Sequence, residues 1–86
     1  AHGSELPMYK TLYTHEYQQM LVLLRAKRTA SQVSQVELAR RLEWTQGDVS
    51  KCETGVRRLD VVELRLWLKA LDLELTGFVS ELYGAA

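Results

Sequence analysis

Residues 34–55 read Ser34-Gln35-Val36-Glu37-Leu38-Ala39-Arg40-Arg41-Leu42-Glu43-Trp44-Thr45-Gln46-Gly47-Asp48-Val49-Ser50-Lys51-Cys52-Glu53-Thr54-Gly55. Ser34 with Glu37 three residues on marks a helix start. The hydroxyl accepts a free backbone N–H and the acid reaches back, forming a capping box. Val36, Leu38, Ala39 and Leu42 give that helix an apolar side. Thr45 opens a second helix, with Asp48 in the matching third position and Val49 and Cys52 facing inward. Gly55 ends it, as a residue free to adopt positive φ. Only Glu43 and Trp44 separate the two helices. So short a connection makes them cross steeply and leaves the second on the surface. Trp44 reads as a plug beneath the turn, and Cys52, at an apolar position, as core.

Upstream, Thr14 caps a helix running to about Ala30, in which Tyr17, Leu21, Leu24 and the stem of Arg28 recur at helical spacing. Downstream, Asp60 opens a fourth helix with Glu63 in the third position. Its Leu64, Trp67, Leu68 and Leu71 form one apolar stripe, and Val62, Leu66 and Leu73 a second beside it. Thr76 opens a short fifth helix through Phe78, Val79 and Leu82. No period-two alternation suggests a strand. The expected fold is all-α, a compact bundle of four to five short helices over residues 14–83, after an N-terminal tail 1–13 without helical periodicity. Ala1 to Ser4 resemble a cloning remnant, with Met8 a native start.

The 86 residues suffice for one domain, with little stability to spare. No apolar run approaches the length of a membrane span, and nothing resembles a signal peptide. A lone cysteine fits a reducing cytoplasm. Net charge is zero, but it is unevenly spread. Residues 25–58 carry eight basic against four acidic side chains, a net +4, and residues 59–86 carry two against five, a net −3. A basic middle points to a polyanion-binding face, with a solvated surface as the plain alternative.

The quoted stretch resembles the helix-turn-helix of the Cro/cI-type (XRE) family of transcriptional regulators. Ser34-Gln35, Leu38-Ala39 and Leu42 fall on the first helix of that motif, and Thr45-Gln46, Val49-Ser50, Glu53 and Gly55 on the second. The likeness runs from about Tyr17 to Leu75. It implies a lambda-repressor-like fold with Thr45–Thr54 as the recognition helix, entering a major groove about 12 Å wide. By the same likeness Gln46, Gly47 and Lys51 contact bases. Gln35, Thr45, Ser50, Thr54, Arg57 and Arg58 contact the DNA backbone, Gln35 also steadying the recognition helix. Arg28 and Glu53 form a buried ion pair. The residue types agree: Gln reads adenine bidentately, Lys donates to guanine, and a helix N-terminus favours phosphate. The sequence departs from the family where Gln32 and Glu43 stand at positions usually glycine, and where Gly47 and Asp48 stand among the reading positions. Two adjacent arginines cannot face the same way on a helix, so only one of Arg40 and Arg41 is expected at a phosphate.

The second stripe of the fourth helix, with Phe78, Leu82 and Tyr83, implies a homodimer, through Val62, Leu66, Leu73, Phe78, Leu82 and Tyr83. The alternative is that the fifth helix covers the stripe. No nucleophile–base pair, phosphate loop or zinc-ligand spacing stands out, so neither enzyme activity nor a metal or other cofactor is expected. The expected protein is a cytoplasmic regulator, bacterial or phage-encoded, binding double-stranded DNA without a membrane role. Two alternatives stay open: an antitoxin docking a toxin protein, and an interaction module that has lost DNA binding.

Overall fold

The computed structural model describes residues 8–84, and the reading of Ala1–Ser4 as a cloning remnant lies outside them. Among the described residues five α-helices follow one another: α1 Met8–Ala30, α2 Gln35–Leu42, α3 Gln46–Glu53, α4 Val61–Ala70 and α5 Leu75–Leu82. The described residues hold no strand. α1 starts at Met8, well before the expected Thr14, so residues 8–13 belong to the helix and not to a tail. Residues 8–13 carry no apolar periodicity, so the sequence pattern gave no sign of this first part of the helix. α5 starts at Leu75 on the N-cap Glu74, slightly before Thr76, and has no side-chain cap.

The three inner helices start as their caps dictate. Thr45 and Asp48 make both halves of a capping box on α3, and Asp60 and Glu63 do the same on α4. Ser34 makes only half of one. Its Oγ accepts from the Glu37 N–H at 3.0 Å, but the Glu37 carboxylate is taken by Arg40 and Arg41.

Three helix ends share one device. The N–H of Val33, Trp44 and Leu73 each reaches back five residues, to the carbonyls of Arg28, Ala39 and Leu68, at 3.3, 2.9 and 2.8 Å. That turn needs a left-handed residue just before, and Gln32, Glu43 and Asp72 take it with φ of 59°, 58° and 61°. None is glycine, so each stores about 1 kcal/mol of strain, least for Asp72, whose short side chain tolerates this region. Gln32→Gly and Glu43→Gly are each expected to stabilise by at most about 0.5 kcal/mol, since glycine's unfolded-state entropy of about 0.5–1 kcal/mol offsets much of the relieved strain. Thermal melts would show each as a rise of at most roughly 4 °C.

α3 packs against α1 and α2, α4 against α2, and α5 against α1 and α4. Leu24, Leu38, Val49, Cys52, Trp67 and Leu68 are fully enclosed at the centre, with Val33, Ala39, Leu64, Leu71 and Phe78 around them. The first stripe of α4 therefore faces the core as its spacing predicts. Trp44 is half-buried, its ring edge-on to Trp67 at 6.1 Å and 73°. Val36 departs from its expected role: it is 66% exposed, because α2 buries only Leu38 and Ala39 fully.

Candidate nucleic-acid interface

α3 is held by one buried ion pair. Arg28 Nε donates to Glu53 Oε2 at 2.6 Å and its NH2 to Glu53 Oε1 at 3.1 Å. The remaining guanidinium nitrogen donates to the Val33 carbonyl at 2.9 Å. One side chain thus ties the end of α1 and the approach to α2 to the last residue of α3. Gln35 Nε2 also donates to Glu53 Oε1, at 2.8 Å, and its Oε1 accepts from Gln46 Nε2 at 2.6 Å. A continuous chain of hydrogen bonds therefore runs from the buried pair to the exposed first residue of α3.

With Val49, Cys52 and Glu53 turned inward, Gln46, Gly47 and Lys51 lie on the exposed side of α3. A Cβ added at Gly47 would meet nothing closer than Thr45 Oγ1 at 3.7 Å, so the glycine is not required by crowding. Gly55 is: its φ is +84°, and a Cβ there would press on Leu21 Cδ1 at 3.3 Å. Thr45 is exposed, with its Oγ1 accepting from the Asp48 N–H at 3.1 Å. The Asp48 carboxylate accepts from the Thr45 N–H at 3.2 Å, and this bond leads the causes that hold its acid below the usual range. Asp48 is thus a capping residue with its charge engaged. Ser50 is half-buried, and Thr54 Oγ1 donates to the Ser50 carbonyl at 3.0 Å.

The loop after α3 is latched. Arg57 NH2 meets Glu63 Oε2 at 2.7 Å, and its guanidinium lies over the Trp44 ring, 4.5 Å from the centroid. Arg58 is exposed and lies over the Tyr17 ring at 4.6 Å, while Tyr17 Oη accepts from the Leu59 N–H at 3.1 Å. Nothing in the local sequence signals Tyr17 as an anchor for a loop forty residues away. Cys52 lies beneath Arg57 in the core, where burial pushes its thiol up, so it is a poor nucleophile at neutral pH.

Arg40 and Arg41 correct the expectation that adjacent arginines must diverge. Both donate to Glu37, three and four residues back, each through Nε at 2.9 Å. These bonds, Arg40's first, pull the Glu37 carboxyl down to about 2. Arg41 also donates to the Ala70 carbonyl at 2.8 Å, joining α2 to the end of α4. Lys27 pairs with Glu81 of α5 at 2.6 Å.

Of the residues expected between two copies, Val62, Leu66 and Tyr83 are 62%, 48% and 64% exposed, and Val61 beside them is exposed as well. Leu73 and Leu82 are half-buried against the core. Phe78 does not belong in that set. It is 3% exposed, because α5 turns it onto the bundle and so uses it to close its own core. No helix among the described residues is long and apolar enough to cross a membrane.

Two short capped helices crossing at a tight turn, the second presenting a polar face from its N-terminus, make this a helix-turn-helix protein. A family model described as a helix-turn-helix domain matches residues 19–76. Among solved structures, an XRE-family like protein from Pseudomonas syringae pv. tomato str. DC3000 superposes with a TM-score of 0.87. It is 36% identical, over 90% of this chain and 94% of that one. No curated protein matches the chain. The chain belongs to the XRE family of helix-turn-helix DNA-binding regulators.

Proposed function

We propose that the protein binds double-stranded DNA sequence-specifically, with the outer face of α3 in the major groove, as a homodimer on a palindromic operator. The observation that carries this reading is the exposed edge of Gln46, Gly47 and Lys51 on a helix fixed from behind by Arg28, Gln35 and Glu53. Thr45 and Gln35 stand at the N-termini of α3 and α2, where unpaired backbone N–H groups suit a phosphate. Ser50 within α3 and Thr54, Arg57 and Arg58 after it would meet the DNA backbone, Arg57 with its guanidinium already steered by Trp44 and Glu63. Such a protein would work where the duplex is, in the bacterial cytoplasm, blocking or recruiting transcription by occupying a promoter.

Lys51→Ala is expected to weaken operator binding by about 1–3 kcal/mol and to relax preference at one base pair. Unchanged affinity for the natural operator would remove α3 as the reading element. Affinity should also fall steeply with salt, as phosphate contacts release counterions. Selection of bound sequences from random duplex tests both halves of the proposal. A palindrome with half-sites about 34 Å apart supports the dimer, and a single half-site rules it out.

The exposed Val61, Val62 and Leu66 of α4 also favour a second reading, in which a different protein, such as the toxin of an antitoxin pair, covers them. Analytical ultracentrifugation separates the two. A dimer leaves that face filled, whereas a monomer at high concentration leaves it for another partner.

A further inference from the structure

We infer that the groove between the end of α2 and the outer side of α4 docks an acidic amphipathic helix of another protein. The inference rests on the second reading above, in which a different protein covers the exposed face of α4. It names the chemistry of that partner and the edge it takes.

The groove holds about 570 Å³. Its apolar lining is Leu42, Leu66 and Ala70, and its charged lining is Arg41, Arg65 and Lys69 against a single acid, Glu43. Arg65 and Lys69 are the only basic residues after Arg58, in a stretch that carries five acids. They nevertheless stand one turn apart on the same exposed side of α4. Like charges at that spacing repel each other. Among the described residues neither has an ion-pair partner. Glu63, the acid of α4 itself, is taken by Arg57 and by the cap of its own helix. The two cations are therefore left for an acid from outside the bundle.

A duplex suits this groove poorly. The groove lies at the C-terminal ends of α2 and α4, where the backbone carries partial negative charge, and Glu43 stands beside them. Arg41 already donates to the Ala70 carbonyl there, and no residue of α3 lines the groove. A second copy suits it no better. Two-fold pairing centred on Leu66 would set Arg65 of one protomer against Arg65 of its partner, so a homodimer through α4 would keep this basic end off its axis. A small anion would meet the cations but leave Val61 and Val62, exposed on the same helix, in water. An amphipathic helix laid along α4 meets both demands. Its apolar side chains, at i, i+3, i+4 and i+7, would cover Val62, Leu66 and Leu42, and Asp or Glu on its flank would reach Arg65 and Lys69.

The test selects binders from a displayed library of short helical peptides, with leucine at i, i+3, i+4 and i+7 and every other position random. The wild type is expected to enrich Asp and Glu beside the leucines, and the best peptide to shift the amide resonances of residues 41–43 and 65–70. Arg65→Glu combined with Lys69→Glu should weaken that peptide about tenfold. The same peptide with its acids changed to lysine should recover the loss on that variant, which also shows that the variant folds. Lys51→Glu, on α3, should leave the acidic peptide's affinity unaltered. No enrichment of acids, or equal affinity for wild type and the reversed variant, overturns the inference. If such a peptide still loses affinity in Leu66→Ser, α4 remains a docking face and only its acidic partner falls. A library that yields no binder overturns both. Sedimentation and binding to random duplex test the other occupants. A reversed variant with an altered oligomeric state makes a second copy the occupant, and one with a weaker salt dependence of duplex binding puts DNA there. Either result overturns the inference.

Discussion

Replacing Arg28 with methionine is expected to destabilise the fold by about 3–5 kcal/mol, because Glu53 would be left charged and unpaired in the core. Domains of this size have about 4–13 kcal/mol in total, so urea midpoints should fall to a fraction of the wild-type value. The penalty belongs to the stranded charge and not to the lost pair. Taking two ions out of water costs nearly as much as their attraction returns. Arg28→Met combined with Glu53→Leu should therefore recover most of the loss. The Val33 carbonyl and Gln35 Nε2 would still lack partners, leaving a deficit of about 1–3 kcal/mol. A double variant as unstable as Arg28→Met alone would mean that the pair itself is what holds the core.

Trp67→Ala is expected to lower stability by a similar amount, about 3–5 kcal/mol, through the cavity left by the largest fully enclosed side chain. The damage should spread toward the interface. Trp67 supports the edge of Trp44, Trp44 carries the Arg57 guanidinium, and Arg57 is bonded to Glu63 at the start of α4. Amide exchange over residues 55–60 should accelerate in Trp67→Ala beyond what the global loss explains. Trp44→Ala, at a half-buried position, should cost less stability and yet release the same loop. If exchange in the loop tracked only global stability in both variants, the stacked arrangement would not be what holds it.

Much of the candidate interface is legible in the amino-acid order. Thr45 with Asp48 and Asp60 with Glu63 announce their helix starts because a cap is a local arrangement, complete within four residues. Leu38, Val49 and Cys52 fall in the core because helical spacing alone places them on one face. The same spacing misplaces Val36, since periodicity says which residues share a side and not how much of that side a neighbour covers. Phe78 fails similarly as an interface residue. Apolar residues beyond a filled stripe can serve a partner or the chain's own core, and only the path of α5 decides. The competition for Glu37 was equally hidden. A capping-box pattern marks the acid as free to reach back, but two arginines one turn ahead attract it more strongly than a backbone N–H.

Helix order, the capping boxes of α3 and α4 and the outward side of α3 are readable in the amino-acid order, because each follows from interactions within a turn or two of chain. Even the strain was visible, in Gln32 and Glu43 standing where a left-handed turn favours glycine. What those elements do to one another depends on how they pack. Packing brought Gln35 between Glu53 and Gln46, set Tyr17 beneath the loop before α4, and spent Arg41 on the end of that helix. These contacts join residues 11 to 42 positions apart in the chain. No local rule of spacing reaches so far, and the direction of the Gln35 bond comes from a buried carboxylate that can accept and never donate.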